Sequence, residues 1–311
     1  MAKCLVLGAS GFIGSHLVDA LVSAGHSVRA FDRIGTKIKY ESPGVEKIFG
    51  DFLNSNDLRN AVEGMEYVFH FISTTTPATA ENDPRIDIDT NVRMSIELFD
   101  ICANAQVKRV IFASTGGAIY GDSGENPHKE TDRTLPVSPY AIGKLTIEHY
   151  LRYFKVKRGL DYVVFRISNP YGERQALHAK QGVIPIFIEN IIQDMPITVF
   201  GDGSMIRDYI YVKDVASIIT EVFDKSANKS VYNVGSGVPI TVNQVIGAIE
   251  AVAKKKATIY HKETPPTFVH EVTLDVERIE AEFNVHAHTK LAHGIAATYV
   301  YLETELNRGQ Y

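Results

Sequence analysis

A tyrosine and a lysine four residues apart are the first candidates for chemistry in this chain. Tyr140 and Lys144 lie in the run Tyr-Ala-Ile-Gly-Lys, and the preceding Ser138 and Pro139 are residue types that begin helices. A spacing of four places both side chains on one helix face, one turn apart. The pKa of a free tyrosine is about 10, and a nearby ammonium favours its phenolate. The pair is therefore a candidate acid/base, although such a pair alone is also common on solvated helix faces.

A glycine-rich turn near the start of the chain has the spacing of a dinucleotide-binding turn. Gly8, Gly11 and Gly14 follow a short apolar run and open a helical pattern. Glycines permit a tight turn and a close approach of the backbone to a pyrophosphate. The unpaired N–H groups of the helix start, at Phe12 and Ile13, attract its negative charge. The alternative is a turn with a purely structural role.

An acidic residue follows at the position where a dinucleotide needs one. Asp32 closes the second predicted strand, 18 residues beyond Gly14, where a carboxylate accepts hydrogen bonds from the adenine ribose. Its charge repels a 2′-phosphate, which favours NAD over NADP, whereas Arg33 could accommodate that phosphate. A cationic nicotinamide would also favour the phenolate of Tyr140. The two motifs together predict an NAD-dependent enzyme.

The elements that must position these residues follow from the hydrophobic pattern. Strands are predicted at 4–7, 28–32, 46–49, 67–72, 109–114 and 162–167, with helices at 12–24, 56–63, 89–105 and 139–158. A loop at 171–181 is followed by helices at 185–193 and 213–223 and strands at 197–200, 231–234 and 258–261. This alternation predicts an α/β protein with a Rossmann-type, doubly wound parallel sheet. We expect that domain over 1–169, with returning segments near 205–235, and a smaller C-terminal α/β substrate lobe over 170–204 and 236–311.

Composition and charge exclude several classes of function. With 32 Lys and Arg against 37 Asp and Glu, the formal net charge is -5, so no basic field attracts nucleic acid or an anionic membrane. Cys4 and Cys102 make no disulfide framework and lie in apolar runs, which indicates buried thiols in a reducing compartment. Since no segment has the length of a membrane span or the pattern of a signal peptide, we expect a cytoplasmic protein.

Taken together, these motifs resemble those of the extended short-chain dehydrogenase/reductase family. The run 166–170 is part of this likeness, and the runs 201–204 and 207–215 are similar to the family's nucleotide-sugar epimerase branch, which includes UDP-galactose and UDP-glucose 4-epimerases. The resemblance implies an isomerase that uses NAD to invert C4 of a UDP-hexose through a 4-keto intermediate. It leaves dehydratases, decarboxylases and ketoreductases of the same family as alternatives. A non-catalytic NAD-binding protein is disfavoured by the intact Tyr140 and Lys144 pair.

The resemblance also implies roles for individual residues. Tyr140 becomes the catalytic acid/base and Lys144 binds the nicotinamide ribose, while Asn169 holds the sugar nucleotide and Arg207 contacts its diphosphate. The other cofactor candidates are Asp51 and Phe52 at the adenine, and Phe71, Ile72, Ser73 and Asn91. The other substrate candidates are Val183 and Ile184, with Arg174, Gln175 and His178 as readers of the variable sugar substituent.

The chain departs from the family pattern at the end of the fifth predicted strand. Counted back from Tyr120, the position that usually carries a Ser or Thr hydroxyl falls on Gly116. Thr115 or Ser114 then relays the proton, or Tyr140 acts on the sugar directly. The alternative is that these hydroxyls only make hydrogen bonds at the strand end.

Other departures bear on the reaction and on the diphosphate. Gly117 and Ala118 provide no acidic side chain where dehydratases and decarboxylases carry one, which favours simple oxidation and reduction. His270 precedes Glu271 where relatives commonly have an Arg that clamps the diphosphate, so His270 is a candidate substitute. Three histidines near the C-terminus, His286, His288 and His293, lack a carboxylate or Cys partner at ligand spacing, so no metal site is predicted.

Two predicted helices carry more apolar residues than packing on a sheet requires. The helix at 89–105 has Ile96, Leu98, Phe99 and Ile101, and the helix at 139–158 has Leu145, Ile147, Tyr150, Leu151 and Phe154. The resemblance implies that these helices pair across a homodimer. The alternative is that the surplus contacts neighbouring helices of the same subunit.

Overall fold

The computed structural model describes residues 1–75, 77–121, 124, 126–175, 182–264 and 269–308. In the first half of the chain the strands are β1 (Lys3–Leu7), β2 (Ser27–Asp32), β3 (Glu46–Phe49), β4 (Tyr67–His70), β5 (Arg109–Thr115) and β6 (Asp161–Ile167). The helices there are α1 (Phe12–Ser23), α2 (Ser55–Val62), α3 (Pro77–Asn82), α4 (Pro84–Asp87), α5 (Arg93–Asn104), α6 (Gly116–Ile119) and α7 (Pro139–Arg158), with a π-helical turn at Ile88–Val92.

Among the residues that the structure describes, the second half adds seven strands and five helices. The strands are β7 (Asn169–Tyr171), β8 (Ile197–Phe200), β9 (Ile206–Tyr211), β10 (Val231–Val234), β11 (Pro239–Thr241), β12 (Ile259–Lys262) and β13 (Glu271–Val272). The helices are α8 (Val183–Ile192), α9 (Val212–Val222), α10 (Val242–Ala253), α11 (Glu277–Phe283) and α12 (Leu291–Arg308).

A parallel sheet of seven strands forms the centre of the molecule, in the order β10-β6-β5-β4-β1-β2-β3. Its first six strands in chain order have the dinucleotide-binding arrangement, in which the strand order reverses between β1 and β4. The carboxyl ends of β1 and β4 therefore border the crevice where such folds bind their ligands. The predicted Rossmann-type fold class is confirmed.

Helices cover both faces of this sheet. One core contains Leu17 of α1, Ile219 of α9 and Ile279 of α11, and the opposite core contains Leu98 of α5 and Leu151 of α7. Strand β10 and helix α9 thus return to the first domain from the second half of the chain. Helix α11 also packs there, although the predicted division assigns its residues to the substrate lobe. A third core joins α8, α10, α12 and β9 in a separate lobe.

Two predicted elements differ from the structure near the start of α5. The strand predicted to reach residue 72 ends at His70, because the chain then passes over the glycine turn. A Cβ on Gly8 would come within 3.1 Å of the Ile72 backbone. The helix predicted at 89–105 is regular only from Arg93, since Ile88–Val92 forms a π-helical turn. Across the described residues, every helix is too short or too polar to cross a membrane.

Candidate active site

The glycine turn between β1 and α1 is packed as tightly as a pyrophosphate-binding turn must be. A Cβ on Gly14 would lie 2.1 Å from the Gly8 carbonyl oxygen, and one on Gly11 would lie 2.9 Å from it. Gly8 has a φ of +81°, which other residues rarely adopt. Gly11 is the N-cap of α1 and has no side chain with which to cap it. The N–H groups of the first turn, from Phe12 and Ile13 onward, are therefore suited to an anion.

Asp32 lies at the end of β2 beside this turn. Its Oδ1 accepts a hydrogen bond from the Ser10 N–H at 2.8 Å, and its Oδ2 accepts one from the Ser10 hydroxyl at 2.7 Å. Burial raises the pKa of Asp32 above its ordinary value, and the two bonds from Ser10 counteract that rise. Each carboxylate oxygen has a second lone pair, so a ribose hydroxyl can bond there as well. Arg33, the next residue, is exposed.

The structure separates the two residues expected at the adenine. Asp51 is exposed, and its Oδ1 accepts the Leu53 N–H at 2.9 Å. Phe52 is 3% exposed, with its ring centroid 5.5 Å from that of His70. The Phe52 side chain therefore belongs to the core, and its contribution to an adenine site is indirect.

Asn91 organises the polypeptide that follows β4. Its Oδ1 accepts hydrogen bonds from the Thr74 N–H at 2.9 Å and from the Thr74 hydroxyl at 3.0 Å, and its Nδ2 donates to Thr75 Oγ1 at 2.8 Å. The Ser73 hydroxyl donates to the Thr75 carbonyl at 2.8 Å. Phe71 and Ile72 are half-buried at the same strand end. The π-helical turn that carries Asn91 thus fixes one wall of the crevice.

Tyr140 and Lys144 lie on the first two turns of α7, which Ser138 caps by accepting the Ala141 N–H at 3.3 Å. Lys144 is 8% exposed, donates to the Ala113 carbonyl at 2.9 Å, and has its Nζ 5.7 Å from the centre of the Tyr140 ring. Burial lowers the pKa of Lys144 to about 8 and raises the pKa of Tyr140 to about 12. A phenolate at Tyr140 near neutral pH therefore requires a further positive charge close by.

The expectation that Ser114 relays a proton is corrected by its position. Its hydroxyl donates to Glu148 Oε1 at 2.5 Å, and Glu148 in turn pairs with Arg166 at 2.8 Å. Ser114 and both charged side chains are buried, so this hydroxyl ties β5 to α7 instead of facing a ligand. Thr115, half-buried at the end of β5, remains the candidate hydroxyl.

The structure gives a steric reason for Gly116, the position where a hydroxyl residue is usual. A Cβ there would lie 2.5 Å from Leu274 Cδ1 and 3.0 Å from the Arg166 carbonyl oxygen. Leu274 is 1% exposed and fills the space that a Ser or Thr side chain would occupy. The lack of a hydroxyl at Gly116 is therefore explained by Leu274, a residue distant in sequence whose side chain occupies that space.

Four predicted substrate residues line one cavity of about 160 Å³: Asn169, Val183, Ile184 and Arg207. Asn169 Nδ2 donates to the Asp208 carbonyl at 2.9 Å. The Arg207 guanidinium donates to the carbonyls of Val269 and Ile206, each at 2.7 Å, and burial lowers its pKa below the ordinary value.

The same cavity contains a residue that the sequence analysis missed. Tyr209 is 8% exposed, and among the described residues its hydroxyl has no hydrogen-bond partner. A buried hydroxyl without a partner is costly, so a polar ligand atom is expected to satisfy it. The sequence signal that could have identified Tyr209 is its position two residues after Arg207.

Other predicted substrate residues lie away from this cavity or at its rim. Arg174 was expected to read the sugar, but it pairs with Asp19 at 2.7 Å and Glu41 at 3.1 Å, so it faces α1 and the loop after β2. Gln175 Nε2 lies 2.8 Å from where a Gly182 Cβ would be, at the cavity rim.

His270 is exposed, with its Nε2 3.4 Å from the Ser204 hydroxyl, and His178 falls outside the described residues. His286 and His288 contact each other, with their ring centroids 4.2 Å apart. Within the described ranges, His, Cys, Asp and Glu side chains do not converge in threes on a point where they could share a metal ion.

Comparison with known proteins identifies the family. The family described as the NAD dependent epimerase/dehydratase family matches residues 4–235, and the chain belongs to it. The predicted cofactor class, NAD, and the predicted membership of the extended short-chain dehydrogenase/reductases are therefore confirmed.

Individual relatives are similar over nearly their whole length. The UDP-glucose 4-epimerase of Thermotoga maritima, solved with UDP-glucose, is 32% identical with a TM-score of 0.92, over 98% of this chain and 99% of that one. The UDP-glucose 4-epimerase of Mycolicibacterium smegmatis is 30% identical over 95% of this chain and 97% of its own length. The dTDP-4-dehydro-6-deoxyglucose reductase of Escherichia coli is 32% identical over 94% of each chain. UDP-sugar 4-epimerases are isomerases, which is the predicted enzyme class.

Proposed function

We propose that the protein is an NAD-dependent 4-epimerase of UDP-hexoses, with UDP-glucose and UDP-galactose as its first candidate pair. The observation that carries the proposal is the Tyr140 and Lys144 pair at the crevice of a Rossmann-type sheet. The buried Lys144 ammonium is bonded to strand β5 of the seven-stranded sheet, and Tyr140 lies one helical turn away. This arrangement supports proton transfer at a sugar hydroxyl.

The described residues fit NAD, and different residues suit different parts of it. The uncapped start of α1 suits the pyrophosphate, Asp32 suits the adenine ribose, and Lys144 suits the nicotinamide ribose. When bound, NAD would supply an acceptor for hydride and return that hydride to the other face of the sugar. The raised pKa of Tyr140 means that its phenolate needs a positive charge close by, which the nicotinamide ring would supply. Tyr140 then takes the proton of the 4-hydroxyl and gives it back.

The second lobe supports a sugar nucleotide as the substrate. Arg207 presents a guanidinium at the cavity that Asn169 and Tyr209 also line. A guanidinium matches phosphate oxygens in geometry and charge, which a protein of net charge -5 must supply locally. The cavity therefore suits the uridine diphosphate part of the substrate, and the sugar would extend from it toward Tyr140.

The test is to incubate the purified protein with UDP-glucose, UDP-N-acetylglucosamine and UDP-glucuronate separately and to resolve the epimers by chromatography. We expect interconversion of one gluco/galacto pair with no net consumption of NAD or NADH, because the hydride returns to the sugar. Tyr140→Phe is the matched control and should form the epimer about 10³-fold more slowly. Failure of the wild-type protein with all three sugars would contradict the proposal.

A ketoreductase is the second candidate, because one relative is named as a dTDP-4-dehydro-6-deoxyglucose reductase. Such an enzyme consumes one NADH or NADPH for each turnover. The absorbance of the reduced nicotinamide, followed with a 4-keto nucleotide sugar, distinguishes the two. Stoichiometric loss of absorbance would favour the reductase, and its absence together with epimer formation would favour the epimerase.

We also propose that two copies pair through α5 and α7. Six of the apolar residues noted in the sequence are buried within the subunit: Leu98, Phe99, Ile101, Ile147, Leu151 and Phe154. The apolar side chains that stay exposed on α7 are Ile142, Tyr150, Tyr153 and Val156, at 36–75% exposure. A helix face of this kind supports a partner helix in a dimer. Light scattering that shows a monomer at micromolar concentration would contradict the pairing.

A further inference from the structure

Asp87 is a buried carboxylate that the proposed reaction leaves without a role. It ends α4 and is 3% exposed. Its Oδ1 accepts hydrogen bonds from Thr75 Oγ1 at 2.6 Å and from Asn91 Nδ2 at 2.8 Å. It also lines, together with Lys144, a narrow space behind the crevice. Burying a carboxylate is costly in free energy, so we expect Asp87 to have a role beside the buried ammonium of Lys144.

Gly143 allows this carboxylate to reach α7. A Cβ on Gly143 would lie 1.7 Å from Asp87 Oδ2 and 2.9 Å from its Cγ. Any other residue at this position would push Asp87 away from the helix. A glycine inside a helix costs about 1 kcal/mol relative to alanine, and this contact explains why one is used. Gly143 precedes Lys144 and follows Tyr140 by three residues, so Asp87 contacts the turn that carries both.

Asp87 differs from Glu148, the other carboxylate near Lys144, in whether a cation compensates its negative charge. The groups facing Lys144 from the surrounding elements are Asp87 of α4, His70 of β4, and Tyr140 and Glu148 of α7. Burial lowers the pKa of His70 to about 3, so that ring is neutral. Glu148 is compensated by its ion pair with Arg166. Asp87 is bonded to the neutral side chains of Thr75 and Asn91, so its charge acts on Lys144 without such compensation.

We propose that Asp87 is a positioning residue of the Tyr140 and Lys144 pair, seated against Gly143 so that its charge holds the buried lysine as an ammonium. The inference rests on the proposed function for the identity of that pair and adds an acidic third member to it. In the absence of Asp87, the charge of Glu148 still favours the ammonium, but that carboxylate is paired with Arg166, so burial would shift Lys144 further toward the neutral amine. The direction of the pKa shifts agrees with this role, because the charge of Asp87 raises the pKa values of Lys144 and of Tyr140.

The direct test is Asp87→Asn in the full chain, which keeps the size of the side chain and an acceptor for Thr75 while removing the charge. The ¹³Cε resonance of labelled lysines reports the titration of Lys144, and Lys144→Arg assigns its signal. We expect the pKa of Lys144 to fall relative to the wild-type protein. Asp89→Asn is the matched control, because it removes the same charge from an exposed position two residues away and should change nothing.

An unchanged Lys144 titration in Asp87→Asn would overturn the proposal. This measurement uses no sugar, so its result is independent of the substrate. If the titration shifts and no sugar is epimerised, only the proposed function fails. If epimers form and the titration does not shift, only the role of Asp87 fails.

Activity and the glycine contact give two further readouts. With NAD-bound enzyme and UDP-glucose, the alkaline fall of kcat/KM should begin at lower pH in Asp87→Asn, because Lys144 loses its proton earlier. Gly143→Ala should move the Lys144 titration in the same direction by displacing the carboxylate. The double variant should move it no further than Asp87→Asn alone. An unshifted alkaline fall, or additive shifts in the double variant, would contradict the mechanism.

Discussion

Lys144 and Arg207 are the two basic side chains on which the proposed chemistry depends, and the structure holds them differently. Lys144 donates to the Ala113 carbonyl of β5, a central strand of the seven-stranded sheet. Arg207 donates to the carbonyls of Ile206 in β9 and of Val269 in the loop before β13. Peptide carbonyls can be exchanged for phosphate oxygens, whereas a cation fixed beside its catalytic partner must stay in place. The reacting lysine is thus anchored to the seven-stranded sheet, whereas the binding arginine, itself part of β9, is anchored to β9 and to the loop before β13.

The largest effect on this comparison is expected from Tyr140→Phe, on the sheet side. Loss of the phenol should lower kcat about 10³-fold, the scale of a positioned proton-transfer group. The thermal midpoint and the affinity for NAD should change little, since the ring is kept. Turnover of UDP-glucose and a melting curve measure both. Near-native turnover in the variant would assign the chemistry to another residue.

The next effect is expected at the end of β5. Thr115→Val should lower kcat by about 10²-fold and change KM less, because the lost bond strengthens in the transition state. Ser114→Ala is the matched hydroxyl deletion, and it should lower the unfolding free energy by about 1–3 kcal/mol, since Glu148 loses a buried donor. A greater loss of kcat in Ser114→Ala than in Thr115→Val would reverse this assignment.

The choice between NAD and NADP tests the part of the site at the end of β2. NAD should bind at least tenfold more tightly than NADP, because the charge of Asp32 opposes a 2′-phosphate. Asp32→Asn should narrow this ratio, and Arg33→Ala should widen it. Titration of the cofactor-free protein with both nucleotides measures the ratio. Equal affinity in the wild-type chain would transfer the decisive role to Arg33.

The smallest effect is expected at Arg207 in β9. Arg207→Lys keeps the charge but loses the forked donor, so KM for the UDP-sugar should rise several-fold with kcat nearly unchanged. Inhibition by UDP should weaken by the same factor, because the contact is to the diphosphate. If kcat falls while UDP inhibition is unaffected, Arg207 acts on the reaction itself and the contrast with Lys144 disappears.

The sequence was sufficient for the parts of the site that depend on local pattern. Strand runs and glycine spacing predict the sheet and the turn at Gly8. The spacing of four predicts that Tyr140 and Lys144 share a helix face, as the structure places them. These features depend on neighbours within a few residues, so one sequence contains them.

The parts that failed depend on contacts between distant segments. Ser114 and Thr115 are adjacent, and only the packing of α7 determines which hydroxyl is buried against Glu148. Arg174 comes soon after Asn169, a predicted substrate residue, but its ion-pair partner Asp19 lies 155 positions away in the sequence. Leu274, which explains Gly116, is similarly remote. No spacing rule reports such pairs.

The late return of β10 has a consequence for how the chain is made. Until residue 234 has left the ribosome, the outer edge of β6 has no partner, and an unpaired edge is prone to pair with other chains. Asn233, which bonds to Tyr120 and to the carbonyl of Asp275, is also missing until then. The nucleotide-binding half therefore cannot finish folding as the chain emerges, and a fragment cut after the first 170 residues should aggregate instead of serving as a transferable module.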